Sequence, residues 1–134
     1  NWIGAESMVL ETDPSGTIVG SSYAWATPRD WAKYGLLYLQ KGKVAGQQIF
    51  PDWWAEYTAS PAEGSEGKYG AQFWKQNDEE FPNVPKDMYF ADGFQGQRIF
   101  IIPSKNLVVV RVGLANKGDI SYDQLLKDVI EAVE

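Results

Sequence analysis

Two short stretches carry residue types that could do chemistry, and the first is a serine followed three positions later by a lysine. Ser65-Glu66-Gly67-Lys68 fits the Ser-x-x-Lys spacing, in which a lysine amine one helical turn away takes the proton of a nucleophilic serine hydroxyl. Gly64 and Gly67 oppose the helix that this spacing needs. A loop offers neither the rigid geometry nor the desolvation that lowers the pKa of a lysine. We therefore expect a loop at Ser65 and no nucleophile.

The second stretch is Gly93-Phe94-Gln95-Gly96, at the start of an apolar run. A strand does not need two glycines at its start, whereas a backbone that another group approaches closely does. A backbone N–H at such a place can donate to the oxyanion of an acyl-transfer reaction. The alternative is a pair of bulge or turn glycines with a structural role, and chemistry alone leaves both readings open. No helix follows, which excludes a dinucleotide-binding glycine loop.

Other classes of site are excluded by composition and spacing. The chain has no Cys and no His, which excludes thiol nucleophiles, thiolate or imidazole zinc sites and a Ser-His-Asp triad. The acidic run Asp78-Glu79-Glu80 lacks the spacing of a calcium motif. We therefore expect no metal and no other cofactor.

The bulk properties indicate one globular domain over residues 1–134. Apolar residues make up 44% of the chain and charged residues 22%, which favours a folded core over disorder. The net charge of −6 argues against nucleic acid or an anionic membrane surface as a partner. No apolar run is long enough to span a bilayer, and the residues that follow Asn1 do not predict a signal peptide. The start at Asn1 predicts the interior or end of a longer protein, and nothing indicates its compartment.

Two helices are predicted in the first half of the chain. Thr27 is a good N-cap, Pro28 suits the first helical position, and Gly42 is expected to end this helix. Both of its sides are apolar, which predicts wide burial; the two stripes are Trp31, Tyr34 and Tyr38, and Ala32, Leu36 and Leu39. A second, shorter helix is predicted to open at Pro51.

The second half predicts a sheet and a final helix. An extended segment at 69–76 and a short strand at 88–93 precede a hairpin that turns at Ser104-Lys105-Asn106. The second arm is apolar on one face and half apolar on the other, so layers are expected on both sides of the sheet. Ser121 caps an amphipathic terminal helix, with Gln124 completing a capping box. The sequence thus predicts an α+β fold, in which an antiparallel sheet, made of the C-terminal hairpin and an extended segment, is packed by helices.

Several longer motifs occur in an order typical of one family. They are "VLETDPSGTIVGSSYAWATPRDWAKYGLLYLQKGK", "YGAQFW", "ADGFQGQRIFIIPSKNLVVVRVG" and the terminal helix. In this order they resemble the region after the second catalytic motif of β-lactamase-related serine hydrolases, with Thr27, Asp30 and Ala32 in the usual places. That family includes class C β-lactamases, penicillin-binding-protein-like esterases and 6-aminohexanoate-dimer hydrolases, and the last branch is the most similar. The resemblance covers nearly the whole chain and implies a fragment of the β-lactamase/transpeptidase-like fold.

The resemblance also implies roles for particular residues. Phe94-Gln95-Gly96 takes the place of the third family motif, Lys-Thr-Gly or His-x-Gly, on the strand that lines the active site. Gly93 and Gly96 would then let the acyl group of a substrate lie against this strand wall. The backbone N–H of Gln97 would be one oxyanion-hole donor, the nucleophile's own N–H being the other. Aromatic substrate contacts would come from Tyr23 or Trp25.

The chain departs from the family pattern in three respects. The nucleophilic Ser with its Lys partner, and the Tyr-x-Asn motif, are not in this sequence. The resemblance therefore implies the C-terminal third of a longer serine hydrolase, inactive alone, which acts on an amide or ester through an acyl-enzyme. Phe94 replaces a cationic or imidazole side chain that would hold a substrate carboxylate. This weakens the case for a β-lactam and favours a neutral small-molecule ester or amide.

Two other interpretations remain. The chain could be a non-catalytic binding or interaction module derived from the same fold, an alternative that Phe94 motivates, or an autonomous α+β domain whose likeness is accidental. In the family, the N-terminal part of the same polypeptide covers the hairpin and the terminal helix. Without it, a strand edge and apolar helix surface would be exposed, so we expect the isolated chain to self-associate.

Overall fold

A four-stranded antiparallel sheet organises the chain, in a computed structural model that describes residues 2–116 and 118–133. Its strands are β5 (Trp74–Lys75), β6 (Tyr89–Asp92), β7 (Arg98–Ile102) and β8 (Leu107–Arg111), in the spatial order β5-β6-β7-β8. Two small ribbons precede it: β1 (Val9–Leu10) with β2 (Ala24–Trp25), and β3 (Lys43–Val44) with β4 (Gln47–Gln48). The helices are α1 (Pro28–Leu39), α2 (Asp52–Ala59) and α3 (Tyr122–Val133). The predicted α+β class is confirmed.

The hairpin of β7 and β8 forms where the sequence predicts it. A 3₁₀ turn at Pro103–Lys105 joins the strands, and Asn106 takes the left-handed conformation at φ 47° that closes the turn. The register pairs Ile102 with Leu107 and Arg98 with Arg111. Because the side-chain period of a strand is two, this register fixes which residues meet each layer.

Both faces of the sheet are covered, as predicted. On one face, Phe90, Phe100 and Ile102 pack with Leu126 and Ile130 of α3. On the other face, residues of α1, α2 and the loop before β5 pack on the sheet in a second cluster. The buried members of this cluster are Tyr38, Ala55, Ala59, Phe73, Tyr89, Ile99 and Ile101. The sheet is therefore the middle layer of three.

Helix α1 begins as predicted, since the Thr27 side chain accepts a hydrogen bond from the Asp30 N–H. Its buried face differs from the predicted stripes: Gly35, Leu37 and Tyr38 are buried, whereas Leu36 is exposed. The reason is close packing at Gly35, where a Cβ atom would lie 2.6 Å from Val108 Cγ1. The smallest residue of the helix thus faces the sheet and sets the rotation of α1.

The predicted capping box of α3 is only half formed. The Ser121 hydroxyl accepts from the Gln124 N–H at 3.3 Å. The Gln124 side chain does not reach back; it donates to Asp128 at 2.6 Å, one turn further along the helix. The extended segment at 69–76 likewise contributes only the two residues of β5. Among the described residues, no helix has the length and apolar character required to cross a membrane.

A buried carboxylate ties the N-terminal segment to α1. Asp30 accepts hydrogen bonds from the N–H and the hydroxyl of Ser7, at 2.8 and 2.5 Å, and it pairs with Lys33 at 2.7 Å. Lys33 in turn donates to the carbonyl of Gly4. The hydrogen bond from Lys33, followed by those from Ser7, lowers the pKa of Asp30 from 3.8 to about 2. The folded state therefore favours the ionised carboxylate.

We predict that Asp30 makes stability fall in acid. Because its pKa is depressed on folding, its contribution is present above pH 3.8 and is lost as the pH falls towards about 2. Asp30→Asn should lower the free energy of unfolding at neutral pH. Denaturant unfolding at a series of pH values should show the difference from wild type shrinking below pH 4. A difference of constant size through this range would contradict the assignment.

Candidate functional site

The two glycines of interest bound a tight turn between β6 and β7. Phe94–Gly96 form a single 3₁₀ turn, and the Gly93 N–H donates to the Gln97 carbonyl at 2.7 Å across its base. Gln95 and Gly96 both have positive φ, 53° and 75°. The expected strand wall is thus corrected: these residues lie on a turn, because two successive left-handed residues cannot continue a strand. We refer to this segment as the Gly93–Gln97 turn.

Glycine at position 96 is required by the protein's own packing. Its φ of 75° is one that side chains rarely adopt, and a Cβ atom there would clash with the Tyr122 hydroxyl. Gly93 is less restricted, although its Cβ would lie 3.0 Å from the Gln97 carbonyl oxygen. The close approach that two glycines predicted is therefore present, and at Gly96 the approaching group is Tyr122.

Every carbonyl oxygen from Phe94 to Gln97 accepts a hydrogen bond. Phe94 O accepts from the Gln97 side-chain amide at 3.2 Å, and Gln95 O accepts from the Ala115 N–H at 3.0 Å. Gly96 O accepts from the Tyr122 hydroxyl at 2.6 Å and from Arg111 Nη1 at 3.1 Å. With the bond from Gly93 N–H to Gln97 O, each of these four carbonyls has a donor.

The backbone N–H of Gln97 is different. In a regular 3₁₀ turn it would donate to Phe94 O, but the left-handed Gln95 interrupts the turn. Among the described residues, no oxygen lies in normal hydrogen-bonding geometry with this N–H. Within residues 2–116 and 118–133, the Gln97 N–H thus makes no hydrogen bond of normal geometry, as an oxyanion-hole donor must not before substrate binds.

The residue that follows the turn anchors it to the sheet. Arg98 bonds Asp92 at 2.8 Å and Glu80 at 2.6 Å, and its guanidinium lies 4.2 Å from the centre of the Tyr122 ring. Burial disfavours its charge, but the hydrogen bonds to Asp92 and Glu80 outweigh that effect and raise the pKa of Arg98 above its usual value. Arg98 therefore stays charged and fixes the end of the turn.

Of the aromatic residues proposed to contact substrate, Phe94 lies on the turn, whereas Tyr23 and Trp25 lie on another element. Phe94 projects into solvent and is 80% exposed, so it is available to a ligand. Tyr23 and Trp25 belong to the β1–β2 ribbon, where the Glu11 N–H donates to Tyr23 O and the Trp25 indole donates to Glu11 at 2.6 Å. No hydrogen bond or ring contact of the described residues joins them to the Gly93–Gln97 turn. Both side chains are more than half exposed.

The Ser-x-x-Lys pattern has no catalytic geometry. Residues 63–68 form turns and bends, as predicted. Ser65 Oγ is buried without a hydrogen-bond partner, and Lys68 pairs with Glu66 at 3.3 Å. The amine is therefore directed at a carboxylate and not at the serine hydroxyl.

The acidic run serves the fold. Asp78 pairs with Lys86 and Glu80 with Arg98. Over residues 2–116 and 118–133, no group of three or more potential ligands is placed to hold a metal ion.

Two open grooves lie on the described part of the chain. One open groove is lined by Trp2, Gln47, Gln48 and Ile49, and another by residues 82–85 together with side chains of α3. Neither of these two grooves is lined by residues of the Gly93–Gln97 turn.

Sequence reasoning missed the residues that hold the turn. No role is predicted from the sequence for either Tyr122 or Arg111. A signal was present for Arg111, since a charge in a strand of valines requires a partner. No local pattern indicates Tyr122, because its contact with Gly96 spans 26 positions.

Solved structures resemble the chain over nearly its whole length. It superposes on a candidate 6-aminohexanoate-dimer hydrolase from Bacillus anthracis with a TM-score of 0.71 and 25% identity, over 92% of this chain and 33% of that one. It superposes on a candidate β-lactamase from Bacteroides dorei DSM 17855 with a TM-score of 0.61 and 16% identity, over 98% of this chain and 47% of that one. No family model and no curated protein matches the sequence.

These likenesses confirm the resemblance drawn from the motifs and the fold expected from it. The chain spans one third of the first structure and about half of the second. That share agrees with the expected fragment of a longer protein.

We predict that the 134-residue chain does not react with a fluorophosphonate probe. Ser65, the serine of the Ser-x-x-Lys pattern, has a buried Oγ and no base directed at it. Intact-mass spectrometry after incubation should show no adduct. Stoichiometric labelling that Ser65→Ala abolishes would show that a nucleophile lies in this loop.

Proposed function

We propose that this chain, which has the fold of β-lactamase-related serine hydrolases, is the C-terminal part of such an enzyme. The full protein would hydrolyse an amide or ester through an acyl-enzyme. The observation that carries the proposal is the Gln97 N–H, which makes no hydrogen bond of normal geometry to the described residues and stands where the resemblance places an oxyanion donor. The ordered motifs and the two structural likenesses support it.

The chemistry divides between this chain and the region that would precede it. A serine upstream, deprotonated by lysine and tyrosine, attacks the carbonyl carbon of the substrate. The oxyanion of the tetrahedral intermediate accepts from the Gln97 N–H and from the N–H of the serine itself. Collapse releases the protonated alcohol or amine, and water then hydrolyses the acyl-enzyme by the same steps.

The surface beside the donor favours an uncharged substrate. Phe94, 80% exposed at the tip of the turn, offers an apolar ring where a cation would bind a carboxylate. The net charge of −6 also disfavours anionic substrates. A neutral ester or amide therefore fits this site better than a β-lactam with its carboxylate. In the complete protein, Tyr23 and Trp25 are further candidates for substrate contact.

The N-terminal part of the same polypeptide is the proposed partner of this chain. Strand β8 is an edge of the sheet, paired only with β7, and it carries four apolar residues in succession. Exposed apolar side chains continue from it at Val112 and Leu114. An unpaired apolar edge of this kind is normally covered.

A non-catalytic binding module of the same fold is the second candidate. Phe94 motivates it, because the cationic or imidazole group of the family is missing there. The residues that precede Asn1 separate the candidates. A Ser-x-x-Lys followed by Tyr-x-Asn supports the enzyme, and the lack of both supports the module.

The Gln97 N–H can be tested by removing it. The φ of Gln97 is −80°, which a proline ring accepts. The substitution removes no backbone hydrogen bond of the described residues and costs only the side-chain bond to Phe94 O. In the full-length protein, Gln97→Pro should lower kcat by about 10²–10³, the usual cost of one oxyanion donor. Steady-state hydrolysis of p-nitrophenyl acetate measures this.

The matched control is Gln97→Ala, which keeps the N–H and loses only the side-chain bond to Phe94 O. It should lose far less activity than the proline variant. Thermal unfolding of both variants establishes that each is folded. Turnover by folded Gln97→Pro at the wild-type rate would reject the oxyanion role.

We also predict that the isolated 134-residue chain self-associates through the open edge of the sheet. Sedimentation velocity should show mass that increases with concentration. Val112→Glu, at the exposed continuation of β8, should weaken association more than the same change at Ile18, which is exposed and pairs with Thr12 outside the four-stranded sheet. A monomer at the highest concentration would contradict the proposal.

A further inference from the structure

We propose that Tyr122 and Arg111 position the oxyanion donor by fixing the peptide group between Gly96 and Gln97. This inference rests on the proposed function and deepens it. Neither side chain would touch the substrate. Both act on the carbonyl that belongs to the same planar unit as the proposed catalytic N–H.

The geometry of the peptide group carries the argument. Gly96 C=O and Gln97 N–H belong to one trans peptide, so the two bonds point in opposite directions within one plane. The Tyr122 hydroxyl and Arg111 Nη1 both donate to this carbonyl, at 2.6 and 3.1 Å. They therefore define the direction of the N–H, which must point away from α3 and β8.

This peptide needs an external hold because its own residues provide little. Gly96 has no side chain to restrict its φ and ψ. The 3₁₀ turn that would fix the N–H is interrupted at Gln95. Without Tyr122 and Arg111, the peptide plane would be free to rotate and the donor direction would be lost.

The two donors are themselves held firmly. The Tyr122 ring contacts two groups: the Arg98 guanidinium lies 4.2 Å from its centre, and the centre of the Phe100 ring lies 5.7 Å away. Arg111 donates further to the carbonyls of Gly113 and Leu114. The hydroxyl and the guanidinium therefore reach Gly96 O from directions fixed by the core and by the end of β8.

The same bonds strengthen the donor. Hydrogen bonds to a carbonyl polarise the whole amide, so the N–H at its other end becomes a better donor. Arg111 also places a full positive charge behind the peptide, which favours negative charge on the substrate side. Positioning and polarisation both act on the transition state, where the oxyanion forms, more than on the bound substrate.

A purely structural role predicts a different result. If the Tyr122–Gly96 bond only tied α3 to the sheet, its loss would lower stability and leave the rate per folded molecule unchanged. The positioning role predicts a fall in kcat among folded molecules, with KM little changed.

The test uses the full-length protein and two variants. Tyr122→Phe removes the hydroxyl and keeps the ring that contacts Arg98 and Phe100. Arg111→Lys keeps the charge and loses the planar fork that spans three carbonyls. It weakens the hold on Gly96 O without changing Tyr122, so the two variants test the same carbonyl independently. Each should lower kcat for p-nitrophenyl acetate roughly tenfold to a hundredfold, the cost of a misplacement of about 1 Å. Affinity for phenylboronic acid, whose adduct with the serine mimics the tetrahedral intermediate, should fall in parallel.

Tyr57→Phe is the matched control. It makes the same chemical change at an exposed residue of α2, which is not part of the turn. It should leave kcat and boronate affinity as in wild type. Rates for Tyr122→Phe and Arg111→Lys that equal this control, per folded molecule, would overturn the inference while Gln97→Pro stays inactive. A wild type that neither hydrolyses the ester nor reacts with a fluorophosphonate would overturn the proposed function and this inference with it.

Discussion

Burial of β7 on both of its faces is the constraint on which the rest of the structure depends. Its last four residues, Ile99 to Ile102, are at most 7% exposed. Full burial of one such side chain contributes about 1.5–3 kcal/mol, so these four residues make a large contribution to apolar stabilisation. Since Phe100 and Ile102 face α3 while Ile99 and Ile101 face α1, one strand holds both helical layers in place.

The position of the Gly93–Gln97 turn follows from that burial. The turn precedes β7 directly, so the register of β7 sets where the turn lies. Packing of Phe100 against Tyr122 brings the first residue of α3 beside Gly96. Arg98 and Arg111 are paired across β7 and β8, a repulsive arrangement unless both charges find partners. Arg98 finds carboxylates and Arg111 finds carbonyls. The candidate site is thus built where the apolar layers of the sheet end.

Local signals in the sequence predicted most of the fold. The Thr27 cap, the alternation through β8 and the Ser104-Lys105-Asn106 turn depend on neighbours within a few positions, and the structure has all three. The predicted buried face of α1 was wrong at Leu36. Gly35 packs against Val108, and the rotation of a helix is set by such contacts between residues far apart in sequence. At the candidate site, the two glycines indicated a close approach. The approaching Tyr122 could not be inferred, since no periodicity links residues so far apart in sequence.

Gly96 and Tyr122 occupy adjoining space, and this couples two positions that are distant in the chain. A methyl group at 96 would need the place now filled by the phenol oxygen. A larger residue at 96 therefore needs a shorter side chain at 122, and it must also adopt a φ that side chains rarely adopt. We therefore expect positions 96 and 122 to co-vary among related chains, so that chains that keep the glycine also keep a hydroxyl-bearing ring opposite it.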